Sequence, residues 1–269
     1  MIRREFLRAA GASAIGAMAL LHWPEEQVAH AAAENLSYQG TDLNNWLVAV
    51  GDGVFAAEGE APVAQDDIAT LHFGDHSELR ANVHQRGIMA HNITYNQQTV
   101  PDALDYIHLC EFSFRLPYVP STSSWEQNAQ TFEASFFIWD GSNTRLDYGI
   151  ALQWILNPWM NSFGKIRTWV NVGDPAQPRN VWKSIGQLNV DTNWHTIKLV
   201  FDYQFQTTAM AIDGNHCLSS FSTTPKAGTW SGETVARFGA EIISIFPGSN
   251  PNAPSHTMEV RDWRWLWIQ

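Results

Sequence analysis

The chain has 269 residues, 16 Lys and Arg against 27 Asp and Glu, and a formal net charge of −11. An acidic surface repels nucleic-acid phosphates and anionic lipid headgroups, each of which needs a basic patch to bind, so composition argues against both as partners. Anionic polysaccharides stay open, because salt screens distant charge beyond about 10 Å and a local group of Arg and His then governs its own neighbourhood. Two cysteines, Cys110 and Cys217, lack the Cys-x-x-Cys spacing of metal and redox sites and read as small buried hydrophobes.

Residues 1–33 read as a leader. Arg3-Arg4-Glu5-Phe6-Leu7-Arg8 precedes an uncharged run from Ala9 to Leu21 rich in Ala and Gly, too short for a membrane span of roughly 20 apolar residues. This segment resembles a twin-arginine export signal. The resemblance implies a folded protein carried by the twin-arginine machinery to the periplasm or the cell exterior, cleavage within Ala29–Ala33, and no membrane attachment afterwards. Removing residues 1–31 takes away Arg3, Arg4 and Arg8 together with Glu5, Glu25 and Glu26, so the net charge stays at −11. Residues 34–269 then form one domain, long enough to bury about three-quarters of its unfolded surface.

Beyond the leader, polar and apolar residues alternate with period two and no helical periodicity persists. The predicted strands are Trp46–Val50, Ile68–Phe73, Ser77–Val83, Gly87–Tyr95, Leu109–Leu116, Phe132–Asp140, Tyr148–Leu156, Gly164–Val172, Trp194–Tyr203, Ala209–Asp213, Arg237–Ile245 and Glu259–Ile268. Turn chemistry separates them at Asp140-Gly141-Ser142-Asn143, Gly173-Asp174-Pro175, Asp213-Gly214-Asn215 and Pro247-Gly248-Ser249-Asn250-Pro251. Many strands without helical insertions predict an all-β fold of two antiparallel sheets packed face to face, a sandwich or jelly roll. The same-face stripe Trp263, Trp265 and Trp267 belongs between those sheets, since three exposed indoles would make an adhesive patch.

Trp194-His195-Thr196-Ile197-Lys198-Leu199-Val200-Phe201-Asp202-Tyr203, followed by Ala209-Met210-Ala211-Ile212-Asp213-Gly214, resembles a strand pair of the concanavalin A-like lectin/glucanase superfamily. The closing Val260–Ile268 run resembles the terminal strand of such domains, which pairs near the N-terminal strand. This resemblance implies a jelly roll with a concave sheet that binds polysaccharide; it also allows a structural calcium ion held by loop oxygens, with no other cofactor. A narrower similarity links Ser77-Glu78-Leu79-Arg80 to the Arg-Ser-Glu-Leu-Arg motif of alginate-lyase-type polysaccharide lyases, with His76 in place of the leading Arg. Gln153-Trp154-Ile155 falls where those lyases carry Gln-Ile-His, without the His, and Lys165-Ile166-Arg167-Thr168-Trp169 echoes their later Lys-containing strand, without the Tyr.

A lyase acting on a uronate must neutralise the carboxylate, remove the C5 proton and protonate the leaving oxygen. In this scheme Arg80 and Gln153 neutralise, His84 abstracts the proton and Arg167 positions the substrate; His91, His108 and His195 are further candidates for the base. Trp139, Trp154 and Trp169 are candidates to stack on sugar faces. A hydrolase needs two carboxylates roughly 5–9.5 Å apart, for which Glu111 and Glu133 qualify if their strands pair. No ligand spacing supports zinc. A non-catalytic glycan-binding or envelope-associated protein accounts for the aromatic content as well.

Overall fold

The computed structural model describes residues 36–51, 54–83, 88–120, 129–139, 149–171, 180–213, 215–220, 233–246 and 255–268. The leader and its cleavage region lie outside these residues. The strands are β1 (Leu36–Gly40), β2 (Leu47–Val50), β3 (Phe55–Ala56), β4 (Ile68–His72), β5 (Ser77–Asn82), β6 (Ile88–Pro101), β7 (Ile107–Arg115) and β8 (Ala129–Trp139). They continue as β9 (Gly149–Trp154), β10 (Lys165–Asn171), β11 (Asn180–Gln187), β12 (His195–Asp202), β13 (Thr207–Ile212), β14 (Asn215–Ser220), β15 (Glu233–Phe246) and β16 (Ser255–Ile268).

Two eight-stranded antiparallel sheets form. The first runs β14-β13-β12-β7-β16-β5-β4, with β1 on β16; the second runs β11-β10-β9-β8-β15-β6-β2, with β3 on β6. This is the jelly-roll sandwich expected from the alternation. The C-terminal strand does pair with the N-terminal one, Tyr38 opposite Trp265. All twelve predicted strands are present, whereas β1, β3, β11 and β14 were not predicted; β11 and β14 are edge strands, where one neighbour fewer relaxes the alternation.

The core lies where alternate residues of both sheets meet. Phe114 of the first sheet stacks flat on Phe132 of the second, ring centroids 3.6 Å apart, and Phe136 touches both Phe201 and Trp265. Trp263, Trp265 and Trp267 are buried in this layer, each burial of that size contributing about 2–3 kcal/mol or more by area removed from water. Trp263 donates its indole N–H to the Asp42 carbonyl at 2.6 Å, and Gly40 is needed beside it because a Cβ there would meet that nitrogen at 2.8 Å. The buried ring of His108 donates Nε2–H to the Ala103 carbonyl at 2.8 Å and accepts from the Trp265 indole at 3.3 Å. Burial pushes its pKa down to about 3, so it is a neutral core group and not a base.

Cys110 is buried and free. Cys217, Met210, Leu199 and Cys110 occupy one row across β14, β13, β12 and β7. Three strand spacings, roughly 14 Å, are far beyond disulfide reach.

Candidate functional site

In β8, Phe132, Ala134, Phe136 and Ile138 are buried against the first sheet. Glu133, Ser135, Phe137 and Trp139 therefore point to the outer face of the second sheet, since strand side chains alternate. The neighbouring strands do the same and set polar residues in register there. Glu241 of β15 sits directly opposite Glu133, Glu133 opposite Gln153 of β9, and Gln153 opposite Arg167 of β10. Four adjacent strands thus contribute one continuous row.

Hydrogen bonds tie the row together. Arg167 donates Nε–H and Nη2–H to Gln153 Oε1 at 2.8 and 2.6 Å, and the Gln153 amide donates onward to Glu133. At the other end His91 of β6 bonds through Nδ1 to Glu241. In its neutral form, an imidazole that donates Nδ1–H to a carboxylate carries its lone pair on Nε2. The Arg167 guanidinium also lies over the Trp182 ring, 4.4 Å from its centroid, and Trp182 meets Trp169 edge to face.

Burial first, and the neighbouring Glu241 charge second, push the Glu133 carboxyl up to about 8. Bonds and charges from Gln153, His91 and Arg167 pull the other way without cancelling this. At about 8 the Glu133 carboxyl is mainly protonated at neutral pH, which makes a proton available there instead of a second anion beside Glu241.

One step along the strands the face is lined by small residues. Gly239 pairs with Ser135 and Ser135 with Ala151, with Tyr95 at one end and Trp169 at the other. A further step brings Arg237 opposite Phe137. The Arg237 guanidinium is flanked by Tyr95 and Trp139, 3.9 and 4.7 Å from the ring centroids. At Gly149 a Cβ would run into the Phe136 carbonyl and the Phe137 ring, so glycine lets the phenyl lie across the strand.

Of the residues expected to form the site, Gln153, Arg167, Glu133, Trp139 and Trp169 share this face. Arg80 does not: it lies on β5 of the first sheet, points outward and pairs with Glu78 at 2.5 Å. Glu111 is on the first sheet too, held by Arg264 at 2.5 Å and Lys198 at 3.4 Å, and does not partner Glu133, whose strand belongs to the second sheet. Trp154 is fully buried against Phe114 and His195, because its even position in β9 faces the core. His84 lies outside the described residues. Glu241, Arg237 and Trp182 were missed by the sequence reading, although the pattern Arg237, Gly239, Glu241 against Ala236, Phe238, Ala240, Ile242 marks a polar and an apolar face.

On the first sheet's outer side, His76, Glu78 and Glu259 place ligand atoms within 4.8 Å of one another. Arg80 and Arg115 already pair with the two carboxylates, so the charge is balanced there without a cation.

The fold defines the class, an antiparallel jelly-roll sandwich. Among solved structures it is similar to a LamA variant from Z. galactanivorans in complex with laminaritriose and laminaritetraose, at TM-score 0.50 and 13% identity over 87% of this chain and 98% of that one. Lower similarities reach an endo-beta-1,4-glucuronan lyase from the fungus Trichoderma reesei (TM-score 0.49, 11% identity, 86% and 94% covered) and a Bacteroides ovatus GH16 protein in complex with its G4G4G3G product (0.48, 13%, 84% and 96%). No family model and no curated protein sequence matches the chain. At 13% identity the likeness to the LamA variant bears on the fold alone.

Proposed function

We propose that the outer face of the second sheet binds a polysaccharide and cleaves it by β-elimination at a uronate. The observation that carries this is the row Arg167, Gln153, Glu133, Glu241 and His91, with its division of exposure: the His91 side chain is 27% exposed and that of Glu241 only 8%. An exposed imidazole held by a buried carboxylate has the form of an oriented base. Arg167 and Gln153 supply donors for the substrate carboxylate, which lowers the cost of forming the C5 carbanion, and the proton on Glu133 is kept for the leaving oxygen. His91 Nε2 takes the C5 proton, the electron pair forms the C4–C5 double bond, and the C4–O bond breaks. The leaving oxygen takes the Glu133 proton, and transfer from His91 back to Glu133 completes the cycle.

The laminari-oligosaccharides held by the LamA variant agree with a glycan ligand for a sheet of this shape. An exported protein, as the Arg3-Arg4 leader suggests, would meet such polymers outside the cytoplasm. A second reading, hydrolysis with Glu133 as acid and Glu241 as its partner, draws on their direct cross-strand pairing, which sets Cβ atoms about 5 Å apart. Its weakness is the burial of Glu241.

Incubation with alginate, glucuronan and glycosaminoglycans separates the two. Ultraviolet absorbance of an unsaturated uronate supports elimination; new reducing ends without that absorbance move the assignment to hydrolysis. No cleavage of any of them refutes the elimination.

A further inference from the structure

Six arginines lie among the described residues. Arg80, Arg115, Arg261 and Arg264 each have a carboxylate partner, in Glu78, Glu259, Asp262 and Glu111. Arg167 and Arg237 form no salt bridge with a carboxylate among the described residues. Both are on the outer face of the second sheet and both are stacked on aromatic rings. Neither guanidinium is neutralised by a described carboxylate, although the chain carries a net charge of −11. A stacked guanidinium is held rigid by its ring contacts while its in-plane N–H groups remain able to fork onto an anion.

Arg167 already belongs to the polar row. Arg237 stands apart from it, four residues from Glu241 along β15, roughly 13 Å at strand rise, with the small-residue floor of Gly239 and Ser135 between. Its Nη2–H donates to Gln97 at 3.2 Å, and its Nε–H is buried with no partner among the described residues. Tyr95 and Trp139 cover its flanks. Aromatic surface beside a fixed cation suits a sugar ring that carries an acidic substituent.

We propose that Arg237, with Tyr95, Trp139 and Gln97, is a second anion-recognising subsite, which binds the carboxylate or sulfate of a sugar unit remote from the one held by Arg167. The inference rests on the polysaccharide-binding reading above, and it extends that reading from a single charged sugar to a polymer charged at intervals. The same site would disfavour neutral glycans, since a desolvated guanidinium gains little from a hydroxyl compared with an anion.

The test is equilibrium binding to the full chain carrying His91→Gln, which holds the ligand without turnover. Three saturated oligosaccharides of equal length serve as probes: a uronate oligomer, a sulfated neutral oligomer and an uncharged one. Arg237→Met should weaken the acidic probe that binds by about 10- to 100-fold, reduce its salt dependence by roughly one charge, and change the uncharged probe by less than about twofold. Arg237→Lys should restore part of the affinity, because charge returns without the planar fork. Preference for the uronate over the sulfated oligomer, or the reverse, identifies which anion is read. Equal losses for charged and uncharged probes, or no binding of either acidic oligomer, overturn the subsite. Tight Arg237-dependent binding of acidic oligomers by a wild-type protein that releases no unsaturated product would leave the subsite standing and refute the elimination chemistry alone.

Discussion

Replacing Glu133 by Gln should flatten the pH dependence of stability on the alkaline side. The carboxyl ionises near 4.5 in an unfolded chain and at about 8 in the folded protein. Between those values the folded state holds a proton that the unfolded state has released, so stability is full below 4.5, declines as pH rises and is lost above about 8. At about 1.4 kcal/mol for each tenfold change in proton affinity, that interval corresponds to a ceiling of about 5 kcal/mol. Glu133 is not sealed from solvent, and a carboxylate that can reach water recovers part of its solvation, so a loss of about 2–3 kcal/mol between about pH 5 and 8 is expected. The substituted amide keeps an acceptor for the Gln153 side chain and has no charge to bury. Denaturant unfolding of both proteins at about pH 5 and about pH 8 measures the difference, and effects of other titrating groups cancel in the comparison. Parallel profiles would refute the assignment of a protonated Glu133, and with it the donor role in the proposed chemistry.

Three further outcomes follow from the same geometry. Arg80→Ala should leave cleavage and glycan binding unchanged within about twofold, as its ion pair with Glu78 is partly exposed and on the other sheet; a large loss in initial rate would place the active face wrongly. Gln153→Ala removes the link between Arg167 and Glu133 and should lower kcat by about 10²-fold with thermal stability reduced by no more than a few degrees, and an unchanged kcat argues against the row. In a Glu133→Gln, Asp202→Asn background, acidification from pH 6.5 should destabilise the protein: burial holds His108 and His256 down to about 3 from 6.5, so their stabilisation is present above 6.5 and lost toward 3. A flat unfolding profile over that range would contradict it. Asp202 is included because burial raises it to about 6, which gives a slope of the opposite sign between 3.8 and 6.

Much of the fold was legible because alternation is a local signal. In β8 the sequence Phe132-Glu133-Ala134-Ser135-Phe136 already separates core from outer face, and the structure keeps that separation. The Trp263, Trp265, Trp267 stripe was legible for the same reason. Trp154 is buried in the core while its neighbour Gln153 takes the outer face, because adjacent strand residues point to opposite sides of the sheet. Arg80 followed a short motif that survives in β5 while the strand lies in the other sheet, so resemblance of four residues did not carry their spatial neighbours with it.

The amino-acid order determined the class of fold, the faces of each strand and the acidic character of the chain, all properties of residues next to one another. Tertiary structure alone decided which faces share a surface. His91 and Glu241 are 150 residues apart, and Glu133 meets Glu241 only because β8 and β15 pair in one register out of many. That register is set by the collective packing of the inward residues, where a slip by one position would bury Glu133 and expose Phe132. The proton on Glu133 has the same origin: ordinary glutamate chemistry, changed by a neighbour and a burial that the linear chain does not contain.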